Sequence, residues 1–337
     1  GNYLSSAGLS GGPSECTLKA KSIDFRFVQD TVEVLGLEGQ AYPGYTLRMF
    51  SDSAARVLKE FVFTRPVTLS GGGMFPMGDD MKLMKGRIRF DASAGRVRYP
   101  LLGTTLDLGR TKGEVLISPQ WVVVDKMMGT IWDGTFTGRV LAQIDDGDAL
   151  NGSFVLQDMN LTSIGKSYDK KMEKATVHGA IEFSSKGGNM NSIQAKGEAA
   201  LVHGDLVEIP LFGFLGEALS NYIPGLGHLI NYKISRADCD FSIEKGYVRT
   251  SNFAAQGSNM SLEGGGWIRL SDLQVNSDFK LGLRGFPGFI TSPVFLLAGG
   301  LFQVRGTGPL SNVSWSFAPF SGGKAPIPPA AAPARKR

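Results

Sequence analysis

Three histidines and two cysteines are the residues best suited to metal or nucleophilic chemistry, and they are scattered along the chain. His178, His203 and His228 each stand alone, without a Cys or second His at a metal-ligand spacing. Cys16 and Cys239 are too few for a disulfide framework and wrongly spaced for zinc. We therefore predict no metal and no cofactor. Two buried free thiols are favoured over a single bridge, which stays the alternative in an oxidising compartment.

Glycine loops and carboxylates give no better sign of catalysis. Gly71-Gly72-Gly73 lacks the Lys and Ser/Thr of a phosphate-binding loop, which favours a hairpin or bulge. The acidic stretch 145–148 has the ligand chemistry for calcium, but the twelve-residue loop pattern is absent and turn formation accounts for it. Other Asp and Glu residues are scattered through turns, which argues against a paired-carboxylate, carbohydrate-active enzyme. We predict that the chain has no catalytic residues and is not an enzyme.

Length and composition limit the number of domains and the classes of partner that the chain can have. With 337 residues and 36.1 kDa, the chain has room for one long β domain or two smaller ones. The 45 glycines are well above average and indicate many turns and bulges. The net charge of +4 is spread thinly, so we expect no nucleic-acid partner. The most apolar windows, around 207–230 and 286–302, are interrupted by Pro and Gly and do not read as membrane spans.

The elements that would position any site are mainly strands with one apolar face. Between Leu273 and Arg284 apolar and polar residues alternate, so Leu273, Val275, Phe279, Leu281 and Leu283 are expected to face one way. The same pattern predicts strands over 22–34, 87–91, 97–108, 113–118, 120–125, 130–133, 135–144, 152–158, 175–184, 191–203, 204–207, 234–244, 246–255, 258–270, 303–306 and 313–317.

Three segments break this alternation. Spacings of three and four favour a helix over 51–62 and an apolar amphipathic one over 209–223. The charged segment 158–174 is expected to be either a short helix or an excursion at the sheet edge. Frequent strands with short connections favour antiparallel meanders over a parallel sheet. We thus predict a mostly β fold, an elongated antiparallel or meandering sheet curled into a groove or taco-like sandwich, with a few short helices.

The two ends differ in composition from the folded part. Residues 1–14 are rich in Gly and Ser and predict a flexible lead-in, 15–320 form the repeating β domain, and the Pro/Ala-rich tail 321–337 predicts disorder. Because the chain begins at Gly1 without a methionine, we expect an excised piece with any anchor upstream.

Several stretches resemble the AsmA-like C-terminal region family of AsmA- and TamB-related bacterial envelope proteins. They are IWDGTFTGR (131–139), the glycine-bounded strand and apolar segment at 197–215, the strand pair 234–257, the glycine-rich strand 260–272 and the closing FQVRGTGPLSNVSWSF (302–317). The likeness is best over 130–317. Val313-Ser314-Trp315 departs from it, because proline is common there in the family.

That resemblance implies a non-enzymatic scaffold of the cell envelope. It implies an apolar β groove that shields phospholipid acyl chains in lipid transport and outer-membrane biogenesis, in the periplasm and anchored to the inner membrane through an upstream segment. Phospholipid or another acyl lipid is the implied partner, with envelope proteins as further partners. The alternative is a structural or adhesive β module that binds protein and no lipid, since an apolar face is more often an ordinary sandwich core. The residues expected to contact lipid are Leu211, Phe212, Phe214, Leu215, Val275, Phe279, Leu281 and Leu283.

Overall fold

The fold is taken from a computed structural model of the chain. The residues that it describes are 16–43, 61–77, 84–101, 104–143, 149–168, 172, 175–186, 192–205, 212, 215, 217, 221, 233–283 and 301–319. Both ends of the chain, the predicted helix at 51–62, the acidic stretch 145–148 and His228 lie wholly or mostly outside these residues.

The described residues form two compact units. The first comprises the residues up to Met159 together with 167–168 and 186, and the second comprises the others. Within the described ranges, every strand pair of either unit is antiparallel. The prediction of a mostly β, antiparallel, meandering fold is confirmed. Composition allowed one long domain or two smaller ones, and the described part of the chain divides in two.

Eleven strands build the first unit. They are β1 (Thr17–Lys19), β2 (Ser22–Arg26), β3 (Thr31–Ala41), β4 (Val62–Phe63), β5 (Val67–Pro76), β6 (Lys85–Asp91), β7 (Arg96–Leu101), β8 (Thr104–Ile117), β9 (Trp121–Ile131), β10 (Gly134–Gln143) and β11 (Leu150–Asn160). One edge of β3 carries both β1 and β2, and its other edge pairs with β5. The long strand β8 pairs with β6 and β7 along one edge and with β9 along the other, and β10 and β11 follow.

The second unit is a meander in which each strand pairs with the next. Its strands are β12 (Thr176–Ser185), β13 (Gln194–Asp205), β14 (Lys233–Glu244), β15 (Tyr247–Gly257), β16 (Met260–Arg269), β17 (Gln274–Leu283), β18 (Leu301–Pro309) and β19 (Ser314–Pro319). Helix α1 (Leu161–Ser167) begins after Asn160, whose side-chain oxygen accepts the backbone N–H of Thr162 at 2.9 Å. Of the two alternatives for 158–174, the structure shows the short helix.

Turn chemistry explains the hairpin between β9 and β10. Trp132 and Asp133 both have positive φ, 49° and 61°, and Gly134 follows them. Two successive residues with positive φ are typical of the tight turn whose twist suits a hairpin. The motif IWDGTFTGR is therefore a turn flanked by strands, as predicted, with Trp132 rather than a glycine in the left-handed conformation.

Local turns also account for the strand boundaries that were wrong. The predicted strand 22–34 is a hairpin, because 27–30 form a turn in which Asp30 has φ of 52°. Residues 191–203 and 204–207 were predicted as two strands, but β13 is continuous from Gln194 to Asp205. Leu273 was placed on the apolar face of β17 and instead lies exposed in the preceding turn, with φ of 55°.

The three consecutive glycines lie inside β5 and not in a hairpin. A Cβ atom at Gly72 would lie 2.3 Å from the carbonyl oxygen of Val34, and one at Gly71 would lie 2.1 Å from that of Arg87. The register of β3 against β5 shifts between Val34 and Leu37, opposite this stretch. Glycine is required because the neighbouring backbones approach too closely for a side chain. Of the predicted alternatives, a hairpin or a bulge, the structure shows the bulge.

Each unit has its own apolar core. The core of the first is formed by Val34, Leu37, Ala41, Val67, Leu69, Phe75, Met84, Ile88, Ala92, Val97 and Ile117. The core of the second is formed by Ala175, Leu201, Phe212, Leu215, Ile234, Ala237, Ala255, Met260, Leu262, Phe279, Leu281, Leu283, Phe302 and Val304. Most of these residues occupy alternate positions of their strands, as the two-residue period requires.

Candidate functional site

The candidate site is the apolar face of the sheet in the second unit. Strand register aligns its side chains in rows, because residues paired across antiparallel strands share a face. One row joins Leu262, Leu281 and Phe302 across β16, β17 and β18. The next row joins Phe279, Val304 and Phe317, with Gly264 at the β16 position. The alternation in β17 therefore extends sideways into a continuous apolar surface.

The residues expected to contact lipid lie inside this core. Val275, Phe279, Leu281 and Leu283 are all buried, and Leu281 has no exposed surface. Two residues from outside the strands, Phe212 and Leu215, are also fully buried and belong to the same cluster. Leu211 and Phe214 lie outside the described residues. Five of the residues named from the sequence therefore share one core, Val275 is buried outside that cluster, and the chain itself covers all six.

Phe212 makes its contacts within a group of four aromatic rings. Its ring centroid lies 5.2 Å from that of Phe253, 5.3 Å from that of Phe279 and 5.8 Å from that of Trp315. The Phe279 ring meets Phe212 edge to face, and the Trp315 ring is stacked against it. Such offset and edge-on pairs add about 0.5–1.5 kcal/mol to the burial itself. Phe212 is therefore a central contact between the apolar face and the chain that covers it.

Glycines leave room for these rings on the sheet. A Cβ atom at Gly264 would lie 2.8 Å from Phe279 Cδ1, and one at Gly306 would lie 2.9 Å from Trp315 Cη2. The rings of Phe279 and Trp315 thus lie flat across neighbouring strands. Sequence reasoning had assigned Phe253 and Trp315 to strands but not to the site; the alignment of Trp315 with Gly306 was the available signal, and it depends on register.

Two polar groups lie on the apolar face. Ser277 Oγ donates to the carbonyl oxygen of Gly306 at 3.3 Å and is satisfied within the sheet. Trp315 Nε1, although buried, has no hydrogen-bond partner in the described part of the chain. An unpaired buried donor costs about 1–3 kcal/mol, so this N–H is the one point of the face that calls for an acceptor.

The opposite face of the same strands carries paired charges. Asp278 is buried and accepts two hydrogen bonds from Gln303 Nε2, at 2.8 and 2.9 Å, and two from Arg305, at 2.8 and 3.3 Å. Arg269 holds Asp272 through two hydrogen bonds of 2.8 and 2.6 Å, which lower the pKa of that carboxyl. Each carboxylate has one arginine partner, so this face is electrically balanced.

The residues first considered for chemistry stand apart. His178 lies in β12 and His203 in β13, and no three His, Cys, Asp or Glu residues among those described form a metal-binding group. Cys16 and Cys239 are both free and half-buried, so free thiols were predicted correctly and full burial was not. Burial, then the nearby Asp240 carboxylate, raises the pKa of the Cys239 thiol, which lowers its reactivity. No described helix combines the length and apolar composition needed to cross a membrane.

Comparison with known proteins adds no relative. No family model matches the chain, and neither a curated protein nor a solved structure is significantly similar to it. The resemblance of 130–317 to the AsmA-like family therefore stays a prediction.

Proposed function

We propose that the chain is a non-enzymatic lipid-binding scaffold of the bacterial cell envelope, in the periplasm and anchored to the inner membrane by a segment outside this sequence. The apolar face of the second unit takes phospholipid acyl chains in place of Phe212 and Leu215. The observation that carries the proposal is the cover of this face: fully buried Phe212 and Leu215 come from a segment outside the strands and contact the same surface that an acyl chain would use.

The free-energy terms favour an acyl chain over the two side chains. Burial of a Leu or Phe side chain contributes about 1.5–3 kcal/mol, so displacing Phe212 and Leu215 costs on the order of 3–6 kcal/mol. A 16-carbon chain gains on the order of 10 kcal/mol when it is buried, at about 0.8 kcal/mol per methylene and before entropy costs. The exchange is downhill only if most of the chain is covered, so occupancy should depend on acyl length.

The unpaired Trp315 N–H supports the same occupant. A phospholipid carries ester carbonyl oxygens next to its acyl chains. Such an oxygen can accept the hydrogen bond from Trp315 Nε1, for which no described residue supplies an acceptor. A hydrocarbon without a polar end would leave this donor unpaired. The face therefore suits an amphiphile better than a pure hydrocarbon.

The first test removes the cover. Phe212→Ala and wild-type protein are incubated with phospholipid vesicles, re-isolated by gel filtration, and analysed for bound phospholipid by mass spectrometry. We expect phospholipid in both preparations and more per chain in Phe212→Ala, because the acyl chain no longer competes with the ring. A longer acyl chain should be retained better than a shorter one.

Phe75→Ala is the matched control, since Phe75 is buried in the core of the first unit. Apolar cavities bind small apolar guests in general, and this control separates that effect from a true lipid site. Lipid gained equally by both variants would point to a generic cavity. Wild type and Phe212→Ala both free of phospholipid would rule out the proposal.

A second test uses the indole N–H. Trp315→Phe keeps an aromatic ring but removes the donor, together with the Cζ3 and Cη2 atoms that lie over Gly306, so lipid retention should fall severalfold. The melting temperature of the lipid-free protein should change little, because the lost packing is offset by the removal of an unsatisfied buried donor. A loss of thermal stability together with unchanged lipid retention would show that Nε1 has a structural partner and no role in lipid binding.

Full burial of Phe279 and Leu281 favours a second candidate, a structural or adhesive β module that holds envelope proteins and binds no lipid. In that case the face is an ordinary core, and Phe212→Ala costs about 3–5 kcal/mol of stability with no lipid gained. A defined complex with an envelope protein, formed equally by wild type and Trp315→Phe and free of lipid, would favour this module over the lipid scaffold.

A further inference from the structure

The first unit contains a charge cluster that its own residues do not neutralise. Arg87 and Arg89 stand two residues apart in β6 and therefore share a face, and Arg89 pairs across the sheet with Glu114 of β8. Lys126 of β9 completes the group around the same carboxylate. Three cations from two strands thus surround one anion on the strand between them.

The distances show how one carboxylate is shared. Arg87 Nε and Arg89 Nε each lie 3.5 Å from Glu114 Oε1, and Lys126 Nζ lies 3.9 Å from Oε2. Only 8% of the Glu114 side chain is exposed, whereas the three cationic side chains are 66–73% exposed. The anion therefore lies beneath, and the cations reach into solvent above it.

The neighbouring charges do not remove the excess. Arg139 Nε lies 3.6 Å from Asp125 Oδ1, which makes a balanced pair at the margin of the cluster. Four cations against two carboxylates leave two positive charges. Asp91 and Lys112, which pair across β6 and β8, add one charge of each sign and do not change that excess. Among the described residues, Arg87, Arg89 and Lys126 have no ion-pair partner besides Glu114. The cations repel one another, and an anion from solution would relieve that repulsion.

Backbone conformation brings Lys126 into the group. The register of β8 against β9 shifts between Lys112 and Glu114, and Lys126 has φ of 50° in the extra stretch of β9. A left-handed conformation is unfavourable for lysine and is common where a strand is distorted near a binding site. Without this irregularity, Lys126 would lie on the face of the sheet opposite to Glu114.

A shallow depression of about 390 Å³ adjoins the cluster. It is lined by Lys126 itself and by Met128, Ser153 and Val155, among others. Met128 is 40% exposed and Val155 42% exposed, so the depression has apolar surface open to solvent. A ligand with a charged end and a less polar remainder would fit the cluster and the depression together.

We infer that Arg87, Arg89 and Lys126 form a binding site for a phosphate group, with the rest of the ligand lying over Met128 and Val155. A phosphate monoester carries −1.5 to −2 charges at neutral pH, which matches the excess of two, and its oxygens suit the forked donors of arginine. A monocarboxylate would neutralise only half of the excess. This site is in the first unit and does not depend on the function proposed for the second.

The test measures binding of inorganic phosphate to the full chain by calorimetry at low ionic strength. Wild type should bind, with an affinity that falls as NaCl is added. Arg87→Gln/Arg89→Gln should weaken binding by about tenfold or more, as expected for lost charge-assisted hydrogen bonds. The matched control is Arg26→Gln/Arg96→Gln, which removes the same charge from two arginines paired one to one with Glu33 and Asp107. It should stay within about twofold of wild type.

Vesicle flotation then identifies the source of the phosphate. Co-flotation with phosphatidylcholine vesicles that contain phosphatidic acid, but not with phosphatidylcholine alone, and its loss in Arg87→Gln/Arg89→Gln, would assign the site to a lipid headgroup. Phosphate binding without flotation would assign it to a soluble phosphorylated compound. No phosphate binding by wild type, or an equal loss in the control variant, would overturn the inference. Lipid retention by the second unit is measured separately, so either proposal can fail alone.

Discussion

Two buried carboxylates, one in each unit, are neutralised in opposite ways. Asp278 in the second unit has hydrogen bonds of 2.8–3.3 Å from Gln303 and Arg305. Glu114 in the first unit has three cations at 3.5–3.9 Å. The distances around Asp278 are short and its charge is balanced by one arginine. The distances around Glu114 are longer, and its three cations leave an excess of positive charge. We conclude that Asp278 stabilises the sheet, whereas Glu114 supports cations that are free to bind something else.

The same contrast holds for the two apolar regions. Phe279 and Leu281 of the second unit are covered by the chain itself, through Phe212 and Leu215. Met128 and Val155 of the first unit are left 40–42% exposed beside the cation cluster. Burial alone therefore does not identify a binding surface. To bind a ligand, a covered apolar face needs a cover that the ligand can displace. An exposed apolar face needs neighbouring charges that are not neutralised by other residues of the protein.

The largest expected effect comes from breaking the balanced site. Asp278→Ala removes the acceptor for Gln303 and Arg305, and we expect it to lower the free energy of unfolding by about 2–3 kcal/mol, less than for a fully buried pair because Arg305 can turn to solvent. Urea unfolding measures this loss. An unchanged urea midpoint would show that Asp278 makes no net contribution to the free energy of unfolding.

Matched arginine deletions sharpen the comparison. Arg305→Ala leaves Asp278 buried with only Gln303 and should cost about 1–2 kcal/mol. Arg89→Ala leaves Glu114 with two other cations and relieves repulsion, so its effect should lie within about 0.5 kcal/mol of zero. Both are read from urea midpoints at low salt. Equal losses would mean that the Glu114 cluster is structural and would weaken the case for a phosphate site.

The apolar face was predictable because its pattern is local. Alternation in the sequence is enough to place Val275, Phe279, Leu281 and Leu283 on one side of β17, and the structure agrees. The same reasoning misplaced Leu273, since a turn with positive φ interrupts the period. Phe212 was predicted as a contact residue from its apolar segment, but its position over Phe279 depends on a tertiary contact between distant residues.

The charge cluster was not predictable by the same means. Arg87, Glu114 and Lys126 lie far apart in sequence, and they meet only because β6, β8 and β9 pair in one particular register with an irregularity beside Lys126. A one-residue slip would turn these side chains to the other face. The small net charge of the whole chain therefore gave no indication of the local excess of positive charge around Glu114.

The smallest expected effect concerns Asp91 in β6 of the first unit. Asp91 follows Arg87 and Arg89 at the same two-residue spacing and therefore lies on the same face as they do. Hydrogen bonds from the side chain and backbone of Ser93 lower the pKa of Asp91, and the backbone bond measures 2.8 Å. Because the folded pKa lies below the unfolded value of about 4, Asp91 stabilises the fold above that pH. This stabilisation is lost as pH falls through the folded pKa.

Asp91→Asn should therefore flatten the acid limb of the stability curve, with the difference from wild type largest above pH 4 and vanishing in strong acid. Thermal melts between pH 2 and pH 7 measure this slope. Ser93→Ala keeps the backbone bond and should give an intermediate slope, because the side-chain bond is the larger cause of the lowered pKa. If Asp91→Asn flattened the slope while Ser93→Ala kept it, the backbone bond and the charge of Lys112, rather than the Ser93 side chain, would lower the pKa of Asp91. If both variants kept the wild-type slope, Asp91 would have no part in the acid limb.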